Sequence, residues 1–236
     1  MHRILLIETS TSLCSVAIAA DGKVIASRES REERAHAAMT APFIKEVLAE
    51  CAMDAKDLDA VCVSSGPGSY TGLRVGSSSA KGLCFGSGLP LIAIRTPEIL
   101  ADMAVTEGLL PKGCTRIVPM IDARRMEVYC APFSFSGDPS DSPVLAGEIS
   151  PLVVEADCFG QILSEGPVLF IGDGAAKCSG VITSENAHFA QVNPHAAGMA
   201  RLAERAFCEK RFKDTAYFEP FYLKEFVATV SRKKLF

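Results

Sequence analysis

The two halves of this 236-residue sequence carry the same pattern, and this repetition constrains the fold more than any other feature. In the first half an apolar run ends at Glu8, a polar turn and a second apolar run follow, and a later apolar run ends in Gly66-Pro67-Gly68. In the second half the corresponding runs end at Asp122 and in Gly172-Asp173-Gly174. An internal duplication of a mixed α/β unit explains both halves with one structure. Chance agreement of short apolar strings is the alternative.

We therefore predict an α/β protein of two duplicated lobes, residues 1–100 and 101–236, each a mixed sheet with flanking helices. The C-terminal segment of the second lobe can pack back on the first. In the first lobe, Asp21-Gly22 between two apolar runs predicts a tight hairpin.

Two helices of the first lobe can be located from apolar spacing and turn residues. One ends near residues 48–52, and Pro42 leaves two possibilities for its start: a Thr40 cap, or a start near His36 with a kink. The other is predicted over residues 72–85, where glycines fall on one face and permit close packing.

Charge and cysteine content exclude several classes of protein. A formal net charge of −4 gives no basic field for holding a nucleic-acid backbone alone. The nine cysteines include no C-x-x-C pair, so neither a disulfide framework nor a zinc site is predicted. No apolar run reaches the roughly 18 to 20 residues that span a bilayer. We therefore expect a cytoplasmic protein without membrane contact.

The glycine-rich loop at residues 66–72 has two interpretations. Glycines between a strand and a helix can direct backbone N–H groups at a phosphate. However, no Lys-Ser or Lys-Thr pair follows as in a P-loop, and Thr71 stands where a dinucleotide-binding loop has its third glycine. The favoured interpretation is a tight turn that strand–helix packing requires.

The acidic turns suggest a nucleotide site that has lost its function. Glu8 and Asp122 could hold a Mg²⁺–phosphate group, as in ATPases built from two such halves. However, Thr9 directly follows Glu8, and Arg124 lies two residues after Asp122. A third acidic residue, Asp173, lies in the second G-x-G. We therefore name seven degenerate phosphate-loop positions: Glu8, Thr9, Ser10, Gly66, Gly68, Asp122 and Arg124. A small actin-like kinase or ATPase remains the alternative, and no metal site or protease motif is found.

Four stretches of the sequence resemble the bacterial TsaB (YeaZ) family. These stretches are Ile7-Glu8-Thr9-Ser10, residues 65–76, Ile121-Asp122-Ala123-Arg124 and Tyr222-Leu223-Lys224. The resemblance spans nearly the whole chain and is most specific in the glycine-rich stretch. It implies the actin-like ATPase (ASKHA) fold of two ribonuclease-H-like lobes, in agreement with the duplication.

The same resemblance implies a role in tRNA modification. Members of the family are non-catalytic subunits that help to make threonylcarbamoyladenosine (t6A) beside the tRNA anticodon. The related subunit TsaD carries an H-x-x-x-H metal site and the transfer chemistry, and TsaE is an ATPase partner. The resemblance thus predicts no cofactor, a homodimer when the chain is alone, and contact with tRNA only through the complex.

In the family, two helices of the first lobe pack against TsaD or against a second copy. By resemblance, the partner interface would include Met39, Phe43, Val47, Leu73, Arg74, Gly76, Ser77, Ala80, Lys81 and Cys84. Alternatively these helix faces meet their own sheet, and the sequence does not assign each residue to one role.

Overall fold

The computed structural model describes residues 1–32 and 35–224. Five strands form the first sheet: β1 (Arg3–Glu8), β2 (Cys14–Ala20), β3 (Lys23–Ser30), β4 (Ala60–Ser64) and β5 (Leu91–Ile94). Their order is β3-β2-β1-β4-β5, with β1, β2 and β3 antiparallel and with β4 and β5 parallel to β1. The predicted hairpin is present, since Asp21 and Gly22 both have positive φ between β2 and β3.

The second sheet repeats this arrangement. Its strands are β6 (Arg116–Asp122), β7 (Glu127–Cys130), β8 (Phe133–Ser134), β9 (Val144–Leu145), β10 (Ser150–Val153), β11 (Val168–Ile171) and β12 (Ala187–Ala190). The main order is β10-β7-β6-β11-β12, and β8 and β9 are added beside β6. Strand for strand, the order and directions match those of the first sheet. The predicted duplication and fold class are therefore confirmed.

Within the described residues, six α-helices accompany the two sheets. They are α1 (Ala35–Glu50), α2 (Tyr70–Ser87), α3 (Thr96–Thr106), α4 (Gly160–Ser164), α5 (Ala175–Cys178) and α6 (Ala200–Cys208). Helices α1 and α2 cover one face, and α6 contacts β1 and β5 on the other. Helix α1 begins at Ala35 and contains Pro42, so it starts near His36 rather than at a Thr40 cap.

Helices α3 and α6 join the two sheets. Helix α3 contacts β6 of the second sheet, while α6 returns to the first. The two helices are linked by Arg201, which donates to both oxygens of buried Asp102, at 2.6 and 3.1 Å. Because α3 runs through residue 100, the division into 1–100 and 101–236 stays a prediction. Within the described residues, no helix is long and apolar enough to cross a membrane.

The predicted partner interface includes both buried and exposed residues. Seven of its ten residues lie inside the first lobe: Phe43, Val47, Leu73, Gly76, Ser77, Ala80 and Cys84. On this side α1 and α2 cover their own sheet, which agrees with the alternative interpretation of these faces, and partner contact through the seven residues stays a prediction. Met39 and Lys81 are partly exposed and Arg74 is exposed, so their partner contact stays a prediction.

Candidate functional site

A cleft of about 600 Å³ lies between the two lobes, where β1, β4, β6 and β11 end. The first lobe contributes residues 10–12 and 67–71, and the second contributes residues 121–124 with Tyr129 and Asp173. His36 and residues 221–224 complete the lining. Four of the seven predicted phosphate-loop positions line this cleft: Ser10, Gly68, Asp122 and Arg124.

The glycines of the first lobe allow the turn after β1 to lie directly on the start of α2. A Cβ atom on Gly68 would come within 2.1 Å of the Ser10 carbonyl oxygen. On Gly72 it would come within 2.0 Å of the Thr9 carbonyl oxygen, and on Gly76 within 2.3 Å of Thr9 Oγ1. Real Cβ contacts are never this short, so only glycine fits at these three positions.

Hydrogen bonds hold the same contact together. The Ser69 N–H donates to the Ser10 carbonyl at 2.6 Å, and Thr9 Oγ1 donates to the Gly72 carbonyl at 2.8 Å. The Gly72 N–H donates to Ser69 Oγ at 3.3 Å, which caps α2. Oxygen atoms of the protein thus accept hydrogen bonds from backbone N–H groups that a phosphate-binding loop would direct at its ligand. This favours the strand–helix packing interpretation of residues 66–72.

The second lobe uses its G-x-G in the same way. A Cβ atom on Gly172, whose φ is +134°, would come within 2.2 Å of the Met120 carbonyl oxygen, and one on Gly174 within 3.0 Å. The Gly174 N–H donates to that carbonyl at 2.9 Å. Both repeats therefore need their glycines for a contact between two turns of the protein itself.

Glu8, Thr9 and Gly66 lie behind the cleft lining rather than in it. The Glu8 side chain is buried, and its Oε1 accepts from the Ser10 N–H at 2.5 Å. Glu8 Oε2 has no hydrogen-bond partner among the described residues. Burial raises the pKa of the Glu8 carboxyl above its ordinary value of 4.5, which favours the protonated form. A carboxyl in this position is suited to the core of the lobe rather than to holding a cation in the cleft.

Replacing Glu8 with glutamine is expected to change how stability depends on pH. The folded state holds the Glu8 proton more tightly than the unfolded state, so wild-type stability should fall as pH rises above 4.5, until the raised pKa is passed. The loss is about 1.4 kcal/mol for each unit by which the pKa is raised. Glutamine keeps an acceptor for the Ser10 N–H and does not titrate.

Urea denaturation from pH 4 to pH 8 measures this difference. We expect the variant to gain stability relative to wild type as pH rises. Glu148→Gln, at an exposed position in the second lobe, is the control and should follow the wild-type curve. Parallel curves for wild type and Glu8→Gln would contradict the proposed titration.

The acidic groups of the second lobe are already engaged. Asp122 forms an ion pair with Lys177, and its Oδ1 also accepts from the Arg124 N–H at 2.9 Å. Asp173 Oδ1 accepts from the Asp122 N–H at 2.9 Å, and burial raises the pKa of the Asp173 carboxyl. A Mg²⁺–phosphate group would need these carboxylate oxygens as ligands. This arrangement is therefore a poor cation site.

Three polar atoms at the cleft have no partner among the described residues: Ser10 Oγ, Thr11 Oγ1 and His36 Nε2. All three atoms are buried, so they lie behind the surface of the cleft rather than open to it. His36 was predicted only as a possible helix start, because its contact with the cleft depends on the placement of α1.

Residues 221–224 cross the cleft and contact both lobes. On the first lobe, the Phe221 N–H donates to the Ser65 carbonyl at 2.7 Å, and the Arg95 guanidinium lies 4.7 Å from the Phe221 ring centroid. On the second lobe, Lys224 forms an ion pair with Glu127. We call residues 221–224 the cleft strap. Local sequence does not indicate the position of this segment or the pairing of Lys177 with Asp122, because both depend on contacts between residues distant in the chain.

Two lobes built on sheets of the same order, with a cleft between the ends of their strands, define the class of protein: an actin-like ATPase (ASKHA) fold. Residues 23–148 match a family model described as TsaD, tRNA N6-adenosine threonylcarbamoyltransferase. Over nearly its full length, the chain is similar to proteins named tRNA threonylcarbamoyladenosine biosynthesis protein TsaB. The chain belongs to the TsaB family.

The individual similarities extend along almost the whole of each protein. The Escherichia coli (strain K12) TsaB is 30% identical, over 96% of this chain and 96% of that protein. The Haemophilus influenzae TsaB is 31% identical, over 98% of this chain and 96% of that protein. A solved structure described as YeaZ from Pseudomonas aeruginosa matches with a TM-score of 0.81 at 27% identity, covering 94% of this chain and 100% of that chain.

Proposed function

We propose that this chain is a non-catalytic subunit of the machinery that makes t6A in tRNA, where it holds TsaD in its active form. The observation that carries the proposal is the full-length similarity to proteins named for t6A biosynthesis. The t6A role rests on those names, and the scaffold role rests on the site and on the surface of the first lobe.

The arrangement of residues at the cleft supports the proposal that this subunit does not itself catalyse a reaction. Neighbouring turns of the chain lie directly against the glycines of both loops, Glu8 is buried, and Asp122 is paired with Lys177. Catalysis of phosphoryl transfer depends on positioned phosphates and metal ions. The groups that would position the phosphates and metal ions instead make contacts within the protein.

The outward sides of α1 and α2 form the surface that we assign to TsaD. We call it the outer helix face, and it comprises Ala38, Ala41, Pro42, Lys45, Ala49, Arg74, Ser78, Gly82 and Phe85, all exposed. A solvated helix face usually carries mostly charged residues. Here most side chains are small, and one large aromatic ring, Phe85, is 89% exposed. Aromatic and arginine side chains such as Phe85 and Arg74 are typical of protein interfaces.

We assign the other partners by the same reasoning. When TsaD is absent, two copies of the chain would pair through the outer helix face. TsaE would join the assembled complex, and tRNA would be bound by the complex, since the net charge of −4 gives this chain little attraction for phosphate. A cytoplasmic location fits the nine cysteines, all of which are free thiols.

Reconstitution tests the proposal directly. TsaD, TsaE, ATP, tRNA and an activated threonylcarbamoyl donor are assayed for t6A formation with and without the purified chain, which should also co-purify with TsaD. We expect t6A only in the complete mixture. Formation of t6A at an unchanged rate without the chain would overturn the proposal.

Calorimetry of the isolated chain with Mg-ATP tests the alternative, an actin-like kinase or ATPase acting through Glu8, Asp122 and the glycine loops. The position of Asp122 and Asp173 beside the cleft is the observation in its favour. We expect neither submillimolar binding of Mg-ATP nor its turnover. If submillimolar binding or turnover were observed, the enzyme would be favoured.

A further inference from the structure

Three side chains far from the cleft bring different metal-binding atoms together. His2 Nδ1 lies 2.7 Å from Glu204 Oε1, and Cys208 Sγ lies 3.4 Å from the same oxygen. All three ligand atoms lie within 4.8 Å of one another. His2 directly precedes β1, while Glu204 and Cys208 are one turn apart on α6. The group therefore joins the first strand to the last described helix.

We propose that His2, Glu204 and Cys208 bind a zinc ion, with water as the fourth ligand. Zinc accepts nitrogen, sulfur and carboxylate oxygen, and it is the common ion for such a mixed set. Ligands about 2.0–2.3 Å from a tetrahedral ion lie about 3.4 Å apart. The two distances from Glu204 Oε1 are 2.7 and 3.4 Å, and the distance from His2 Nδ1 to Cys208 Sγ is at most 4.8 Å, so small side-chain rotations would complete the site.

The fold holds the ligands in place. The His2 carbonyl accepts from the Asp21 N–H at 2.9 Å, and the His2 N–H donates to Asp21 Oδ1 at 2.7 Å. The His2 ring packs against Phe207, with centroids 4.6 Å apart. Residues four apart on a helix share a face, which directs Glu204 and Cys208 to the same side.

Glu204 has oxygen atoms to offer an ion. Its Oε2 is buried without a partner among the described residues. Its Oε1 accepts from both the His2 ring and the Cys208 thiol, and in each case a bound cation would replace a shared proton. Zinc would thus convert a hydrogen-bonded cluster into a link between β1 and α6.

Cobalt titration of the metal-stripped full chain tests the site, because a Co²⁺–thiolate bond gives a near-ultraviolet charge-transfer band. We expect one equivalent of Co²⁺ to produce the band in wild type and Zn²⁺ to abolish it. Cys208→Ser should lose the band, and its Zn²⁺ affinity should fall about 100-fold or more, since loss of even an outer partner costs 10–100-fold. His2→Ala should also weaken binding.

Cys158→Ser is the matched control, because Cys158 is also an exposed free thiol but lies in the second lobe. It should bind Co²⁺ and Zn²⁺ as wild type does. Zn²⁺ should also raise the melting temperature of wild type and of this control, but not of Cys208→Ser. Absence of the band in wild type, or an equal band in Cys208→Ser, would show that the cluster is only a hydrogen-bonded contact.

Discussion

Replacing Gly72 with alanine is expected to destabilise the first lobe by about 3 kcal/mol, the upper end of the usual cost of overpacking. The new Cβ atom would lie 2.0 Å from the Thr9 carbonyl oxygen, so backbone rather than a flexible side chain would have to move. That movement would break the contact between the turn after β1 and the start of α2. Urea denaturation of the two proteins measures the loss directly.

Gly82→Ala provides the matched control in the same helix. Nothing lies within 4 Å of a Cβ atom at Gly82, so alanine meets no obstacle there. Because alanine favours helix, this variant should be more stable than wild type by up to about 1 kcal/mol. If both alanine variants changed stability alike, close approach would not be the reason for the glycine at position 72.

Replacing Phe85 with lysine is expected to weaken TsaD binding by at least about 30-fold, which corresponds to roughly 2 kcal/mol at an interface hot spot. Phe85 is 89% exposed, so the substitution should leave the fold intact. Lysine is chosen because a cation suits the last turns of a helix. Binding to immobilised TsaD is the measurement, and t6A formation at limiting concentration should fall with it.

Val144→Lys is the control for this substitution, because Val144 is also an exposed apolar residue, 68% accessible, but lies in β9 of the second lobe. It should bind TsaD as wild type does. Substitutions at Gly76 or Ala80 would not give a clear answer, since both residues are buried and a bulky charge would disturb the fold. A folded Phe85→Lys protein that binds TsaD within twofold of wild type would contradict the assigned surface.

The sequence predicts the two sheets well because each strand signal is local. Apolar runs and turn residues locate β1, β4, β6 and β11, and their repetition predicts the common topology. Element ends are less accurate: α2 begins at Tyr70 rather than residue 72, because Ser69 caps it.

The site was only partly predictable, because its geometry depends on contacts distant in sequence. Ser10, Gly68, Asp122 and Arg124 meet at the cleft as the repeat implies, whereas Glu8 points into the lobe. Spacing alone does not show which way a side chain points at the end of a strand.

Helix faces were harder to assign. Helix α1 has more apolar positions than one buried face needs, so periodicity did not separate Phe43 and Val47, which are buried, from Ala38, which is exposed. The pairing of His2 with Glu204 joins residues 202 positions apart, and no local pattern indicates it.

The cleft strap adds a further connection between the two lobes. The chain passes from the first sheet to the second through α3 and returns through α6, and residues 221–224 then contact both lobes once more. A clamshell needs its halves joined along one edge only. The lobes of this chain are joined through α3 and α6 and again through residues 221–224, so we expect less rotation between them than a single connection would allow.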